Sequence, residues 1–128
     1  GIPLTHREHA HGVLFITGHT QPGTSGPDWR QLAATVHHSR LTLVIYMGMG
    51  SAARIQQELL TSLPASTPAA VIEHASGPRQ RHAITTLDQL ANTIEREGLG
   101  SPSVIVVGDV VRGAACVHQG GAAHAHAA

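Results

Sequence analysis

The sequence has few aromatic residues and no excess of charge of either sign. Phe15, Trp29 and Tyr46 are the only aromatic side chains among 128 residues, so a core must be built from Val, Ile, Leu and Ala. Proteins that bind single-stranded nucleic acid use aromatic rings as stacking platforms, and phosphate backbones attract an excess of basic charge. The formal net charge is +0, so both absences argue against a nucleic acid partner.

Long apolar runs and cysteine pairs are also absent. The longest apolar runs, 43–47 and 104–107, are far shorter than the roughly 20 residues of a membrane helix. No basic leader precedes an apolar segment, so we expect neither a membrane span nor a secretory signal. Cys116 is the single cysteine and has no internal disulfide partner, which is typical of the reducing cytoplasm. We therefore expect a soluble cytoplasmic protein.

Five short segments have the pattern of β-strands. Four are rich in β-branched residues and bounded by Gly, Pro or Ser, which predicts buried strands; they span 13–17, 41–46, 69–73 and 103–107. The fifth, 80–85, alternates like an edge strand, and the turn-forming residues 76–78 join it to the third strand as a hairpin.

Helical periodicity lies between these strands. The predicted helices span 51–63, 86–98 and a shorter segment, 28–36. Ser51 can cap the first, Thr86 and Gln89 have the spacing of a capping box, and Gly98 predicts a helix end. The alternation predicts an α/β fold: a mixed sheet of about five strands flanked by helices.

One turn is a candidate for ligand binding on its pattern alone. Residues 46–51, YMGMGS, end a strand in glycines and lead into a helix. In open α/β sheets ligands bind beyond the carboxyl ends of strands, where helix N–H groups are free. The spacing is not that of a dinucleotide fingerprint, so a ligand site and a purely structural turn both stay open. The charged segment 73–81 is interpreted as a solvated hairpin loop.

The eleven histidines do not predict a metal site. A metal needs three or four converging donors, whereas His37 and His38 are adjacent, and His124 and His126 lie in a low-complexity stretch, 113–128, that we expect to be a disordered tail. We therefore predict no metal ligands. A serine hydrolase is disfavoured because no GxSxG segment occurs.

Several segments resemble one enzyme family in order and spacing. They are GIPLTHR at 1–7, ITGH at 16–19, DW at 28–29, YMG at 46–48 and PSVIVVGDVV at 102–111. Together they resemble the second half of uroporphyrinogen-III C-methyltransferases, which are tetrapyrrole methylases, and GIPLTHR is highly specific to that branch. The resemblance covers residues 1–112. It implies the C-terminal domain of the tetrapyrrole methylase, or class III methyltransferase, fold.

The resemblance implies an activity for the whole enzyme. Such enzymes transfer methyl groups from S-adenosylmethionine, leaving S-adenosylhomocysteine, to uroporphyrinogen III and then precorrin-1, giving precorrin-2 for sirohaem or cobalamin. They are usually homodimers that bind both ligands between two domains. An N-terminal methylase domain is missing here, so we expect the chain alone to be inactive and assign no catalytic residue. The alternatives are another precorrin methyltransferase, or a stand-alone non-catalytic binding module with a histidine-rich tail.

The resemblance also implies binding residues. For the cofactor these are Met47, Ala75, Pro102, Ser103 and Val104. For the substrate they are Arg7, His19 and again Met47. A thioether is a soft, adaptable contact, a small residue at Ala75 leaves room, and a guanidinium such as that of Arg7 pairs with the substrate's carboxylates. We expect Met47, Ala75 and the Pro102 segment to face one concave surface, with Arg7 near its rim.

Overall fold

The computed structural model describes residues 10–18, 26–75 and 77–112. The first half holds β1 Gly12–Thr17, α1 Trp29–Ser39, β2 Leu41–Tyr46 and α2 Ala52–Leu59. The second half holds β3 Pro68–Glu73, β4 Arg81–Thr86, α3 Leu90–Glu97 and β5 Ser103–Val107. Single turns of 3₁₀ helix, Met49–Ser51 and Leu87–Gln89, lead into α2 and α3.

The strands form a mixed sheet in the order β1-β2-β5-β3-β4. β1 and β2 are parallel, β5 lies antiparallel to both β2 and β3, and β3 and β4 form an antiparallel hairpin. The carboxyl ends of β1, β2 and β3 therefore share one edge of the sheet with the amino ends of β4 and β5. The predicted mixed five-stranded sheet and its hairpin are confirmed.

The helices cover one face of the sheet with an aliphatic core. Leu43, Ile45 and Ile105 point into this core and are fully buried, as are Ile55 and Leu59 of α2. Each such side chain stabilises the fold by about 1.5–3 kcal/mol through burial. The opposite face buries a smaller group that includes Val44 and Val106, so both faces of β2 are covered, as its unbroken apolar run predicts.

The three aromatic residues divide between the two environments. Trp29, at the start of α1, is buried in the core. Phe15 and Tyr46 are 52% and 43% exposed, and their rings stack with centroids 6.1 Å apart across β1 and β2. The core is therefore mainly aliphatic, as predicted, with one indole added.

The helix ends differ from the sequence predictions in several places, and α1 runs to Ser39 instead of the predicted residue 36. α2 ends at Leu59, short of the predicted residue 63. The capping box predicted for Thr86 and Gln89 is absent: the Thr86 hydroxyl donates to Asp88 instead. Gln56 of α2 caps the start of α3 instead, because its side-chain carbonyl accepts a hydrogen bond from the Ala91 N–H at 2.7 Å.

Other predicted helix ends agree with the structure. Asp28 caps α1, because its carboxylate accepts from the Gln31 N–H at 3.1 Å. Gly98 ends α3 in the left-handed conformation, with φ of 63°, where a glycine has no steric penalty. The predicted cap of α2 is an exception, because Ser51 makes no side-chain capping bond.

Candidate functional site

A cavity of about 860 Å³ opens at the edge of the sheet where β1, β2 and β3 end and β4 and β5 begin. Its volume is within the range of small-molecule sites, which is about 300–1,000 Å³. The five described residues that were predicted to bind the cofactor all line it: Met47, Ala75, Pro102, Ser103 and Val104. The structure therefore brings these five together, while their contact with a ligand stays a prediction.

The turn after β2 pushes Met47 into the open part of this cavity. Met47 has a φ of 55°, a left-handed conformation that is costly for a residue with a side chain. It is 62% exposed, which is unusual for a methionine. The turn is held from behind, because the Gly18 N–H donates to the Tyr46 carbonyl at 2.6 Å.

Gly18 fits behind this turn only because it has no side chain. A Cβ atom at Gly18 would lie 2.6 Å from the Cα of Gly48 and 3.2 Å from the Met47 carbonyl oxygen. The first distance is shorter than any ordinary carbon–carbon contact. The end of β1 is thus packed directly against the backbone that presents Met47.

The turn after β3 forms the second wall. His74 is also left-handed, with φ of 52°, and its N–H donates to the Pro102 carbonyl at 2.9 Å. Its own carbonyl accepts from the Gly77 N–H at 2.9 Å. Ala75 follows at once, so the position of this small residue is fixed by a closed turn and by the segment that enters β5.

Glu73 and Arg81 form an ion pair beside this wall, which the sequence pattern does not predict. Glu73 is only 8% exposed. Its carboxylate accepts from Arg81 Nε at 2.9 Å and Nη2 at 3.2 Å, and from the Gly100 N–H at 2.6 Å. The Arg81 and Gly100 donors hold the pKa of Glu73 below its usual range. The expected hairpin loop is present and Arg81 is exposed, but Glu73 at its start is buried and paired instead of solvated.

The sequence holds one signal for this pair, but that signal can be used only with the hairpin register. Glu73 and Arg81 occupy directly opposed positions in the β3–β4 hairpin, and opposite charges at such positions attract. The register depends on the length of the connecting turn, which the sequence pattern did not specify. The pair was therefore recognisable only once the hairpin register was known.

The cavity wall carries basic but no acidic side chains among the described residues. Arg54 of α2 and His74 line it. Arg54 is largely exposed, and its Nε lies 3.9 Å from Glu58 Oε2, a separation at which a surface pair contributes little. The guanidinium is thus available to an anionic group of a ligand.

Several sequence predictions fall outside the described residues. Two of the three predicted substrate contacts, Arg7 and His19, are among them, and so is the predicted tail, 113–128; the third, Met47, lines the cavity. The domain boundary at residue 112 therefore stays a prediction. Within 10–18, 26–75 and 77–112, no three His, Cys, Asp or Glu side chains come together as a metal site would require. No helix in these ranges has the length and hydropathy to cross a membrane.

The sequence matches known proteins over most of its length. Residues 1–91 match the family described as Tetrapyrrole (Corrin/Porphyrin) Methylases. A siroheme synthase 2 of Aeromonas hydrophila is 48% identical over 112 residues, which cover 87% of this chain and 23% of that protein. A siroheme synthase of Azotobacter vinelandii is 42% identical over 113 residues, covering 88% and 24%. The chain thus spans about a quarter of the length of these curated relatives.

Solved structures give the same result for the fold. The native uroporphyrin III C-methyl transferase of Thermus thermophilus is 34% identical, with a TM-score of 0.70 over 87% of this chain and 46% of that one. The same enzyme complexed with S-adenyl homocysteine has a TM-score of 0.69, covering 87% and 48%. A cobalt precorrin-4 methyltransferase has a TM-score of 0.71 at 19% identity and supports the fold alone. The predicted fold is confirmed.

Proposed function

Because the chain belongs to the tetrapyrrole methylase family, we propose that it is the C-terminal domain of an S-adenosylmethionine-dependent uroporphyrinogen-III C-methyltransferase. The observation that carries the proposal is the cavity at the sheet edge, where all five described candidate residues for the cofactor meet. The 34% identity to a methyltransferase complexed with S-adenyl homocysteine supports the same ligand class here.

The residues of the cavity fit such a cofactor. Ala75 leaves space where a larger side chain would intrude, and the exposed thioether of Met47 can adapt to an irregular ligand. Pro102, Ser103 and Val104 form a further part of the wall, and their backbone groups would hold the adenine. The bound cofactor supplies the methyl group. The chain's own residues orient it and exclude water, which favours in-line transfer.

The charge of the cavity suits an acidic second ligand. Arg54 and His74 line it without an acidic counterpart among the described residues. A guanidinium binds carboxylate with two parallel hydrogen bonds, and uroporphyrinogen III carries several carboxylates. Arg7 and His19 stay predicted contacts for this substrate, which we propose lies beside Met47 and gives precorrin-2 by way of precorrin-1.

A complete cleft requires a second wall. The chain covers 46% of the Thermus enzyme, so we propose that an N-terminal methylase domain closes the cleft and that the chain alone does not catalyse the transfer. The homodimer stays a prediction for the complete enzyme. The cytoplasm stays the predicted compartment, since Cys116 has no disulfide partner in the sequence.

Titration with S-adenosylhomocysteine tests the proposal. The chain and the complete Thermus enzyme are compared by calorimetry, and the chain is then titrated at millimolar ligand while its methyl NMR signals are followed. We expect calorimetry to detect binding by the complete enzyme but not by the chain. In the chain, we expect weak changes in methyl chemical shift that are confined to Met47, Ala75 and their neighbours in the cavity. Equal affinity of chain and enzyme would contradict the need for a second wall. Methyl shifts only at other places would overturn the cofactor site.

A further inference from the structure

The Glu73 carboxylate joins three segments that are far apart in the sequence. Glu73 ends β3, Arg81 begins β4, and Gly100 lies between α3 and β5. Both carboxylate oxygens are used: Oε1 accepts from Arg81 Nε at 2.9 Å, while Oε2 accepts from the Gly100 N–H at 2.6 Å and from Arg81 Nη2 at 3.2 Å. A carboxylate removed from water in this way is stable only with such partners.

Gly100 begins the segment 100–103, which forms one wall of the cavity. Its carbonyl accepts from the Ser103 hydroxyl, and the Pro102 carbonyl between them accepts from the His74 N–H at 2.9 Å. Pro102 and Ser103 both line the cavity. The bond from Glu73 to Gly100 therefore holds the start of the segment whose next residues form that wall.

Arg81 anchors the carboxylate to the end of α3. Its Nη1 donates to the Glu97 carbonyl at 3.3 Å, and its Nη2 donates to the Gly98 carbonyl at 3.0 Å. These carbonyls lie at a helix C-terminus, where unpaired acceptors and the helix dipole favour a cation. Arg81 thus holds the Glu73 carboxylate beside the end of α3. The same carboxylate then fixes Gly100 through its N–H.

We propose that Glu73 and Arg81 are positioning residues for the cofactor: they hold the Gly100–Ser103 segment in the shape that receives it, without touching the ligand. This inference rests on the proposed function of the cavity. Neither side chain lines the cavity. If their removal changes ligand binding, it does so by changing the structure of the Gly100–Ser103 segment. If only a fraction of molecules keeps the wall in place, the apparent Kd rises by the inverse of that fraction.

The test replaces the whole pair, so that no buried charge is left unpaired. Glu73→Met combined with Arg81→Met removes both charges at similar volume, and apolar replacement of a complete ion pair is often neutral for stability. The control is Asp109→Leu combined with Arg112→Met, which removes an exposed pair after β5 with Oδ1 and Nη2 3.7 Å apart. Tm, amide hydrogen exchange and the S-adenosylhomocysteine titration are measured on both variants and on the unaltered chain.

We expect both variants to remain folded, with Tm near that of the unaltered chain. In the Glu73/Arg81 variant, the Gly100 amide exchanges roughly tenfold faster or more, as expected for a lost hydrogen bond to a charged acceptor. The Kd for S-adenosylhomocysteine rises by about tenfold if one molecule in ten keeps the wall in place. The control variant changes neither quantity.

The outcomes separate this inference from the proposed function. Unchanged Gly100 exchange, or faster exchange with an unchanged Kd, overturns the positioning role while leaving the cofactor site intact. If the unaltered chain shows no methyl shift at any ligand concentration, the proposed cofactor site fails in this chain, and with it the positioning role toward that cofactor. Should the Glu73/Arg81 variant fail to fold, Arg81→Lys keeps the charge on Glu73 but loses the bonds to α3. An unchanged Gly100 exchange in that variant overturns the proposal as well.

Discussion

Replacing Gly18 by alanine tests how tightly the end of β1 is packed against the turn that presents Met47. The added Cβ would lie 2.6 Å from Gly48 Cα and 3.2 Å from Gly48 N. An ordinary carbon–carbon contact is about 3.5–4.0 Å, so the two segments must separate by about 1 Å. The hydrogen bond from Gly18 to Tyr46, now 2.6 Å, would then stretch to the limit of a useful bond.

The magnitude follows from these two changes. Overpacking of this kind costs about 1–3 kcal/mol, and the weakened backbone bond adds about 1 kcal/mol. The free energy of unfolding should therefore fall by about 2–4 kcal/mol. For a domain of 128 residues each kcal/mol lowers Tm by roughly 4 °C, so a loss of roughly 8–16 °C is expected. Gly18 is not among the residues with positive φ, so the cost comes from the contact and not from the backbone conformation.

Gly50→Ala is the matched control in the same turn. A Cβ at Gly50 meets nothing within 4 Å, and its φ is not positive. Its stability should match that of the unaltered chain or exceed it by about 0.4–1 kcal/mol, because alanine restricts the unfolded chain. Urea and thermal unfolding followed by circular dichroism measure both variants. If Gly18→Ala is as stable as Gly50→Ala, the close approach of Gly18 to the Met47 turn is refuted.

The remaining predictions concern α3, acid stability and the cavity. Gln56→Ala should cost about 1–2 kcal/mol in urea unfolding, because α3 loses the side chain that acts as its cap; the exposed neighbour change Gln57→Ala should cost little. The pKa of Glu73 is lowered by Arg81, so its stabilisation is full above the ordinary glutamate pKa and is lost as pH falls through the lower folded value. Tm should therefore fall more steeply with acid in the unaltered chain than in Glu73→Gln, and parallel curves would contradict the ion pair. Met47→Ala should weaken S-adenosylhomocysteine binding in the NMR titration without lowering Tm, since the side chain is 62% exposed; unaltered shifts would count against Met47 as a ligand contact.

The strands and one wall of the site could be predicted from the sequence. The segments 41–46 and 103–107 have the predicted bounds, because unbroken β-branched runs suit strands covered on both faces. The turn that carries Met47 was found because the glycines of a strand-to-helix turn are a local signal, whereas the role of Met47 as a ligand contact came from the resemblance. Ala75 and Pro102 came from the resemblance, since no local pattern marks a small residue or a strand entry as part of a site.

Features that depend on two distant segments could not be predicted. Thr86 has the spacing of a capping box, yet Gln56, thirty-five residues before its partner Ala91, satisfies that helix end. The Glu73–Arg81 pair likewise depends on the hairpin register and on the return of Gly100 to the same point. Propensity and spacing describe neighbours along the chain, whereas these bonds are set by tertiary packing.

The mixed topology explains why residues before one strand and after two others form a single cavity. In an all-parallel sheet, the segment that enters β5 would lie at the opposite edge from the ends of β2 and β3. Because β5 runs antiparallel between them, Pro102 and Ser103 lie between Met47 and Ala75. Met47 and His74, two of the three non-glycine residues with positive φ in the described part of the chain, lie at this edge, each at a cost of about 1–3 kcal/mol. Strain of that kind persists only where the surrounding bonds fix it, and here the Gly18–Tyr46 and His74–Pro102 hydrogen bonds do so. The insertion of β5 between β2 and β3 thus brings the Pro102 segment to the His74 turn, whereas the Met47 turn is fixed by its contact with the end of β1.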